Sequence, residues 1–164
     1  MNLSEKIAIV PGSFDPITIG HEDIIRRTKR IFNRVIVAVC NNSDKHYCFS
    51  LQERFEMCKK VFQNDSNIQV LSCEQLVVDL YNQQQVTAIV KGIRNSLDYE
   101  YEADLARINR VMGNAETIFI PCKSEYEHIS SKMVREFSLY GKDITGLVPD
   151  SIKTQIMNKI GTKE

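Results

Sequence analysis

The sequence predicts an α/β fold, a single doubly wound domain in which five parallel strands form one sheet with helices on both faces. Three observations lead there. Apolar runs rich in β-branched residues recur five times, segments of helical period separate them, and no repeat, low-complexity tract or linker divides residues 1–164. A chain of 164 residues can bury a substantial core, and 43 % apolar with 26 % charged residues is an ordinary globular composition.

The first run, Ile7–Val10, breaks at Pro11-Gly12. Four residues are too few for a signal peptide, and nowhere do 18 apolar residues run together, so a cytoplasmic protein without a membrane span is expected. The later runs are Val35–Val39, Ile68–Leu71, Ala88–Val90 and Ile118–Ile120. Each is short and nearly continuous, the pattern of strands buried on both faces of a parallel sheet. Between the first two, Ile24, Ile25, Thr28, Ile31 and Phe32 share one helical face. Leu51, Phe55, Cys58 and Phe62 share another, opened by Ser50 with Glu53 three residues on, a capping box. Asp98 to Val111 reads as a longer helix, and Ile152, Ile156 and Ile160 recur at i+4 in a C-terminal one. This order predicts right-handed crossovers and a Rossmann-like sheet, which binds ligands at the carboxyl ends of its strands. Chemistry is therefore expected at the exits after Val10, Val39, Leu71, Val90 and Ile120.

The formal net charge is zero, so the chain as a whole has no electrostatic reason to bind nucleic acid or a membrane surface, and any anion site must be local. Five cysteines, an odd number with no C-x-x-C pair, read as reduced thiols, mostly small core residues. Neither a P-loop nor a G-x-G-x-x-G turn is present, and His21-Glu22 does not complete H-E-x-x-H because position 25 is Ile.

The first strand exits instead into Pro11-Gly-Ser-Phe-Asp-Pro-Ile-Thr-Ile-Gly-His21. Singly, Pro11-Gly12 and Asp15-Pro16 are turn formers. Together they set Gly20 and His21 at the start of a helix that follows a buried strand, where free N–H groups and the dipole attract anions. The fourth strand exits into Lys91-Gly92-Ile93-Arg94, two cations around a glycine that lets backbone approach a ligand. The fifth leads towards Tyr126-Glu127-His128-Ile129-Ser130-Ser131-Lys132-Met133-Val134-Arg135, whose paired serines cap a short helix and can turn hydroxyls towards phosphates. The basic run Arg26, Arg27, Lys29, Arg30 lies late in the first helix and reads as a solvated face complementing its dipole.

The Pro11–His21 segment resembles the T-x-G-H signature of class I nucleotidyltransferases, and Ile129-Ser130-Ser131 resembles their I-S-S-[ST] signature. With Lys45, Phe49-Ser-Leu-x-Glu-Arg54, Gly92-Ile-Arg94 and Asp98-Tyr-Glu-Tyr-Glu102, the pattern is similar to the bacterial phosphopantetheine adenylyltransferases, over about residues 6 to 160. The resemblance implies transfer of AMP from ATP to 4'-phosphopantetheine, giving dephospho-coenzyme A and pyrophosphate. It implies His21 as stabiliser of the transition state and Ser13 as a partner of the reacting phosphate. Lys45 and Lys91 would hold the pantetheine phosphate, with Val77 beside the pantetheine arm; Lys45 counts among the catalytic residues with Ser13 and His21. Ser13, Phe14, His21, Gly92, Ile93, Arg94, Glu102 and Tyr126, Glu127, His128, Ile129, Ser130, Ser131 and Lys132 would line the ATP site. Mg²⁺ would arrive on the ATP phosphates, with no protein metal cage. A homo-oligomer, a hexamer by resemblance, with coenzyme A as feedback inhibitor is implied too.

Lys91 stands where the resemblance expects Arg, His128 where it expects an aromatic residue, and Lys132 where it expects Ser or Thr. Two other readings stay open: a class I nucleotidyltransferase acting on another phosphate, and a nucleotide-binding module that has lost catalysis. No covalent intermediate is expected, because a phosphomonoester is itself a nucleophile, largely dianionic at neutral pH with its second pKa near ~6.

Overall fold

The computed structural model describes residues 5–42 and 45–161; the other residues of the expected 1–164 domain lie outside these. Strands β1 (Ile7–Gly12), β2 (Arg34–Cys40), β3 (Ile68–Cys73), β4 (Ala88–Ile93) and β5 (Thr117–Pro121) form one parallel sheet in the order β3-β2-β1-β4-β5. Helices α1 (Ile19–Lys29), α2 (Leu51–Phe62), α3 (Val77–Gln83), α4 (Ser96–Gly113), α5 (Ser131–Leu139) and α6 (Asp150–Ile160) complete the described chain, with a 3₁₀ turn at Ser124–Tyr126. Among the described residues no helix is long and apolar enough to cross a membrane.

Alternation along the strands divides the core in two. Ala8, Val10, Val35, Val37, Val39, Ala88 and Val90 face residues of α1, α2, α5 and α6, including Ile25, Met57, Val134 and Ile152. Ile9, Ile36, Ala38 and Ile89 face Val78 and Leu80 of α3 on the other side. Helices thus lie on both faces, as the continuous apolar runs require.

Edge strands depart from the expectation. β3 and β5 are only partly covered, with Ile118 39 % exposed, because each has a neighbour on one side only. Ile31, expected on the buried face of the first helix, is 60 % exposed because α1 stops at Lys29 and the turn carries Ile31 outward. The Ser50–Glu53 capping box is present, and Glu53 also pairs with Lys159 of α6. The basic run of α1 is tied down by acids, Arg26 to Glu22, Arg27 to Asp23 and Lys29 to Asp65.

The sheet opens at its centre. β1 and β4 pair at Ala8↔Ala88 and Ile9↔Ile89, whereas β1 stays paired with β2 as far as Gly12↔Val39 and β4 with β5 as far as Ile93↔Pro121. Pro11 has no N–H to give a ladder. From Val10 and Val90 onward the two strands part at the point where the winding reverses, the place where such sheets hold ligands.

Candidate active site

The cleft between the parted strands has a volume of about 1160 Å³. Val10 to Asp15 of β1 and its exit form one lip, and Val90, Lys91 and Gly92 of β4 form the other. Gly92 is required by packing: a Cβ there would sit 2.9 Å from Ile24 Cγ1 of α1. Gly12 likewise gives way to the ring of Phe14, whose Cζ would lie 2.7 Å from such a Cβ. Phe14 takes a positive φ of 47°, which turns its ring back under the strand to meet His21 edge-on, centroids 5.3 Å apart.

His21 is the third residue of α1 and closes a capping box in which its ring replaces the usual acid. Thr18 Oγ1 accepts from the His21 N–H (3.3 Å), and His21 Nδ1 accepts from the Thr18 N–H (3.1 Å). An accepting Nδ1 leaves Nε2 to carry the proton of the neutral ring. Burial, then the charges of Arg94 and Lys91, lower the His21 pKa to about 4, so the ring stays neutral at physiological pH. The result is an uncharged, oriented donor at a helix N-terminus, in a cleft that also holds two cations.

Those cations are held by acids of α4. Lys91 Nζ lies 3.0 Å from Glu102 Oε1, while Glu102 Oε2 is buried with no partner. Arg94 grips Asp98 through Nε (2.9 Å) and Nη2 (3.3 Å), and Asn95 caps α4 by accepting from the Asp98 N–H. Lys45, exposed on the loop after β2, and Val77, first residue of α3, face the same cleft from the other side. Ser130 caps α5 by accepting from the Met133 N–H (3.1 Å), and Ser131 Oγ donates to Pro16 O (2.7 Å). Lys132 stands in the first turn of α5, exposed at the rim.

Of the residues singled out from sequence, Ser13, Phe14, His21, Lys45, Val77, Lys91, Gly92, Arg94, Glu102, Tyr126, Ile129, Ser130, Ser131 and Lys132 line this one cleft. Ile93, Glu127 and His128 do not. Ile93 spends its carbonyl on the Cys122 N–H (2.8 Å), and Glu127 and His128 are exposed after the 3₁₀ turn. Among the described residues no three His, Cys, Asp or Glu side chains are grouped to hold a metal ion.

Sequence reasoning gave no role to the residues that fix the loops. Arg54, fully buried in α2, donates to Ser13 O (2.6 Å), Cys40 O (2.9 Å), Phe49 O (3.1 Å) and Asn41 Oδ1, and its guanidinium lies 4.1 Å from the Tyr47 ring centroid. Asp15, also buried, accepts from the N–H groups of Cys48 and Phe49 and pairs with Arg135 of α5. A charged residue on the apolar side of a capped helix was the available signal for Arg54.

Comparison with known proteins places this architecture. A cytidylyltransferase-like family model matches residues 9–137. A phosphopantetheine adenylyltransferase of Clostridium novyi is 41 % identical over 95 % of this chain and 98 % of its own length. The chain belongs to the phosphopantetheine adenylyltransferase family. A second family member, from Symbiobacterium thermophilum, is 42 % identical over 93 % of the chain and 94 % of its own. The solved Plasmodium falciparum nicotinic acid mononucleotide adenylyltransferase complexed with NaAD superposes with a TM-score of 0.67 at 19 % identity, covering 95 % of this chain and 94 % of the other, a likeness of fold.

Proposed function

We propose that this chain transfers the adenylyl group of ATP to 4'-phosphopantetheine, yielding dephospho-coenzyme A and pyrophosphate, in one domain and in the cytoplasm. The names of near-full-length relatives support the substrates. The observation that carries the chemistry is His21, a neutral donor fixed by Thr18 beside Lys91 and Arg94. Two anions must be brought together and charge on the α-phosphate offset, which calls for positioning and fixed donors. The substrate phosphate attacks the α-phosphorus directly and pyrophosphate leaves with the electron pair. No protein nucleophile takes part. His21 Nε2–H and Ser13 would meet the reacting phosphate.

Within the cleft Glu102 and Asp98 hold Lys91 and Arg94. Incoming phosphates would compete for these cations, and with Lys45 they would seat the acceptor phosphate on one side and ATP on the other. ATP would enter with its Mg²⁺, which screens the triphosphate; Asp98 and one oxygen of Glu102 are already engaged with cations, and no grouped set of protein ligands is present among the described residues. Assembly into a hexamer with coenzyme A as feedback inhibitor extends the reading. Support for association is α4, where Ala103 alone is buried while Val111 and, along the cleft, Leu97, Tyr101, Ile108 and Met112 are exposed; the hexamer and the inhibitor rest on the family resemblance. The test is pyrophosphate release by purified protein with MgATP and phosphopantetheine, CTP serving as control. Formation of dephospho-coenzyme A with ATP alone is expected; release with another acceptor phosphate and none with phosphopantetheine would overturn the reading.

A further inference from the structure

Cys40 ends β2 and Cys73 ends β3, and the two are register partners in the parallel ladder. Neighbouring strands lie about 4.8 Å apart, within the roughly 4.4–6.8 Å Cα separation that a disulfide spans. Register partners point to the same face, here the one packed on α3. Cys40 Sγ donates to Ala38 O (3.3 Å) and Cys73 Sγ to Gln75 O (3.2 Å). Cys40 is half-buried and lines the cleft, whereas Cys73 is buried behind it. The remaining thiols have no such partner position: Cys58 lies in the core on the opposite face, Cys48 is exposed, and Cys122 follows β5.

We propose that Cys40 and Cys73 are a thiol–disulfide exchange site in the wall of the cleft, open to low-molecular-weight disulfides, and that their closure weakens acceptor-substrate binding. The second half rests on the function proposed above. The neighbouring Cys40 thiol lowers the Cys73 pKa to about 6 while Cys73 and burial raise that of Cys40, so a thiolate is available near neutral pH. As Cys40 attacks a disulfide R–S–S–R, its proton passes to Cys73 and one R–S⁻ leaves, taking a proton from water. Cys73 then attacks Cys40 Sγ and expels the second R–S⁻, which takes up the Cys73 proton. Two cysteines are oxidised by two electrons, and one R–S–S–R becomes two R–SH.

Closure takes the sulfurs away from Ala38 O and Gln75 O, their present partners, and draws the two strand ends together. Gln75, Leu76 and Val77 follow Cys73 directly, and Cys40 O is an acceptor of Arg54. Both effects fall on the wall that carries Lys45 and Val77, away from His21 and α5.

The test treats the full chain, with exposed Cys48 replaced by Ser, with oxidised glutathione at neutral pH. Peptide mass mapping should find a Cys40–Cys73 disulfide that dithiothreitol reverses, and Cys73→Ser should stop at glutathione on Cys40. The KM for phosphopantetheine should rise several-fold on treatment with little change in KM for ATP, and treatment should leave the KM values of Cys40→Ser where they were. Unmodified Cys40 and Cys73, or a bridge through Cys122, would overturn the exchange site. A mapped bridge with unchanged KM would overturn its effect on binding. The mapping needs no turnover, so a reduced protein inactive with phosphopantetheine would count against the proposed function and leave the bridge to be judged separately.

Discussion

His21 is built to donate without being charged. The Thr18 N–H occupies Nδ1 and burial with two neighbouring cations keeps the proton count at one. In the proposed function His21 donates mainly as charge develops, so for His21→Ala kcat should fall about 10²–10³-fold, roughly 3–4 kcal/mol, with KM for ATP changing much less. Steady-state kinetics separate these; a near-normal kcat with a greatly raised KM would reduce His21 to a binding residue. The same pKa has a consequence for stability. Unfolded His21 takes a proton as pH falls through 6.5, and the folded ring does so only near 4. The unfolded state therefore holds more protons between those values, and stability drops as pH is lowered across that window. Denaturation curves for His21→Gln should show a shallower loss between pH 6.5 and 4 than wild type. Lys91 is doubly engaged, as a phosphate cation in the proposed function and as the partner of Glu102. Lys91→Ala should weaken phosphopantetheine, more at low salt. It should also destabilise the ligand-free protein by about 1–3 kcal/mol, because a carboxylate with one oxygen already unpartnered loses its cation. Unchanged acceptor KM at low salt would remove the phosphate role.

At the scale of elements, α5 shows what a capping signal can and cannot say. Ser130-Ser131 marked a helix start, and the helix begins there with Ser130 as its cap. The docking of that start onto the β1 exit, through Ser131 to Pro16 O and Arg135 to Asp15, depends on tertiary approach that no local spacing encodes. Lys132 sits in this first turn, where a cation opposes the positive end of the dipole at a cost of about 0.3–1 kcal/mol. Bound triphosphate would reverse that balance. Lys132→Ser should therefore leave the ligand-free protein equally or slightly more stable while raising KM for ATP, as thermal melts with and without ATP and kinetics would record. Wild-type ATP affinity in that variant would make Lys132 a surface lysine only. α3 escaped sequence reading for a plain reason: it has seven residues and no side-chain cap.

For the whole molecule, the layered core was legible because a two-sided parallel sheet leaves unbroken apolar runs such as Val35–Val39, and His21, Lys91 and Arg94 were legible because strand exits are where ligands go. The Lys91–Glu102 pair, the Cys40–Cys73 register and the parting of β1 from β4 were not, since each joins segments distant in sequence. Arg54 is the fullest case. It joins the exits of β1 and β2 to the start of α2 through Ser13 O, Cys40 O, Asn41 and Phe49 O, so the two loops that carry Ser13 and lead to Lys45 are set against each other by one guanidinium. Arg54→Met would fill most of the volume and strand these acceptors. Each stranded acceptor costs about 1–3 kcal/mol, and because they share one partner the losses will not sum; a total of about 3–5 kcal/mol is expected from urea denaturation. Lys keeps the charge but has no planar fork, so it cannot face divergent carbonyls together and Arg54→Lys should recover only part of the loss. If Arg54 positions the cleft, KM should rise for both substrates in both variants under conditions where the protein remains folded. A variant that loses stability yet keeps both KM values would show that Arg54 secures the fold and leaves the cleft geometry to other contacts.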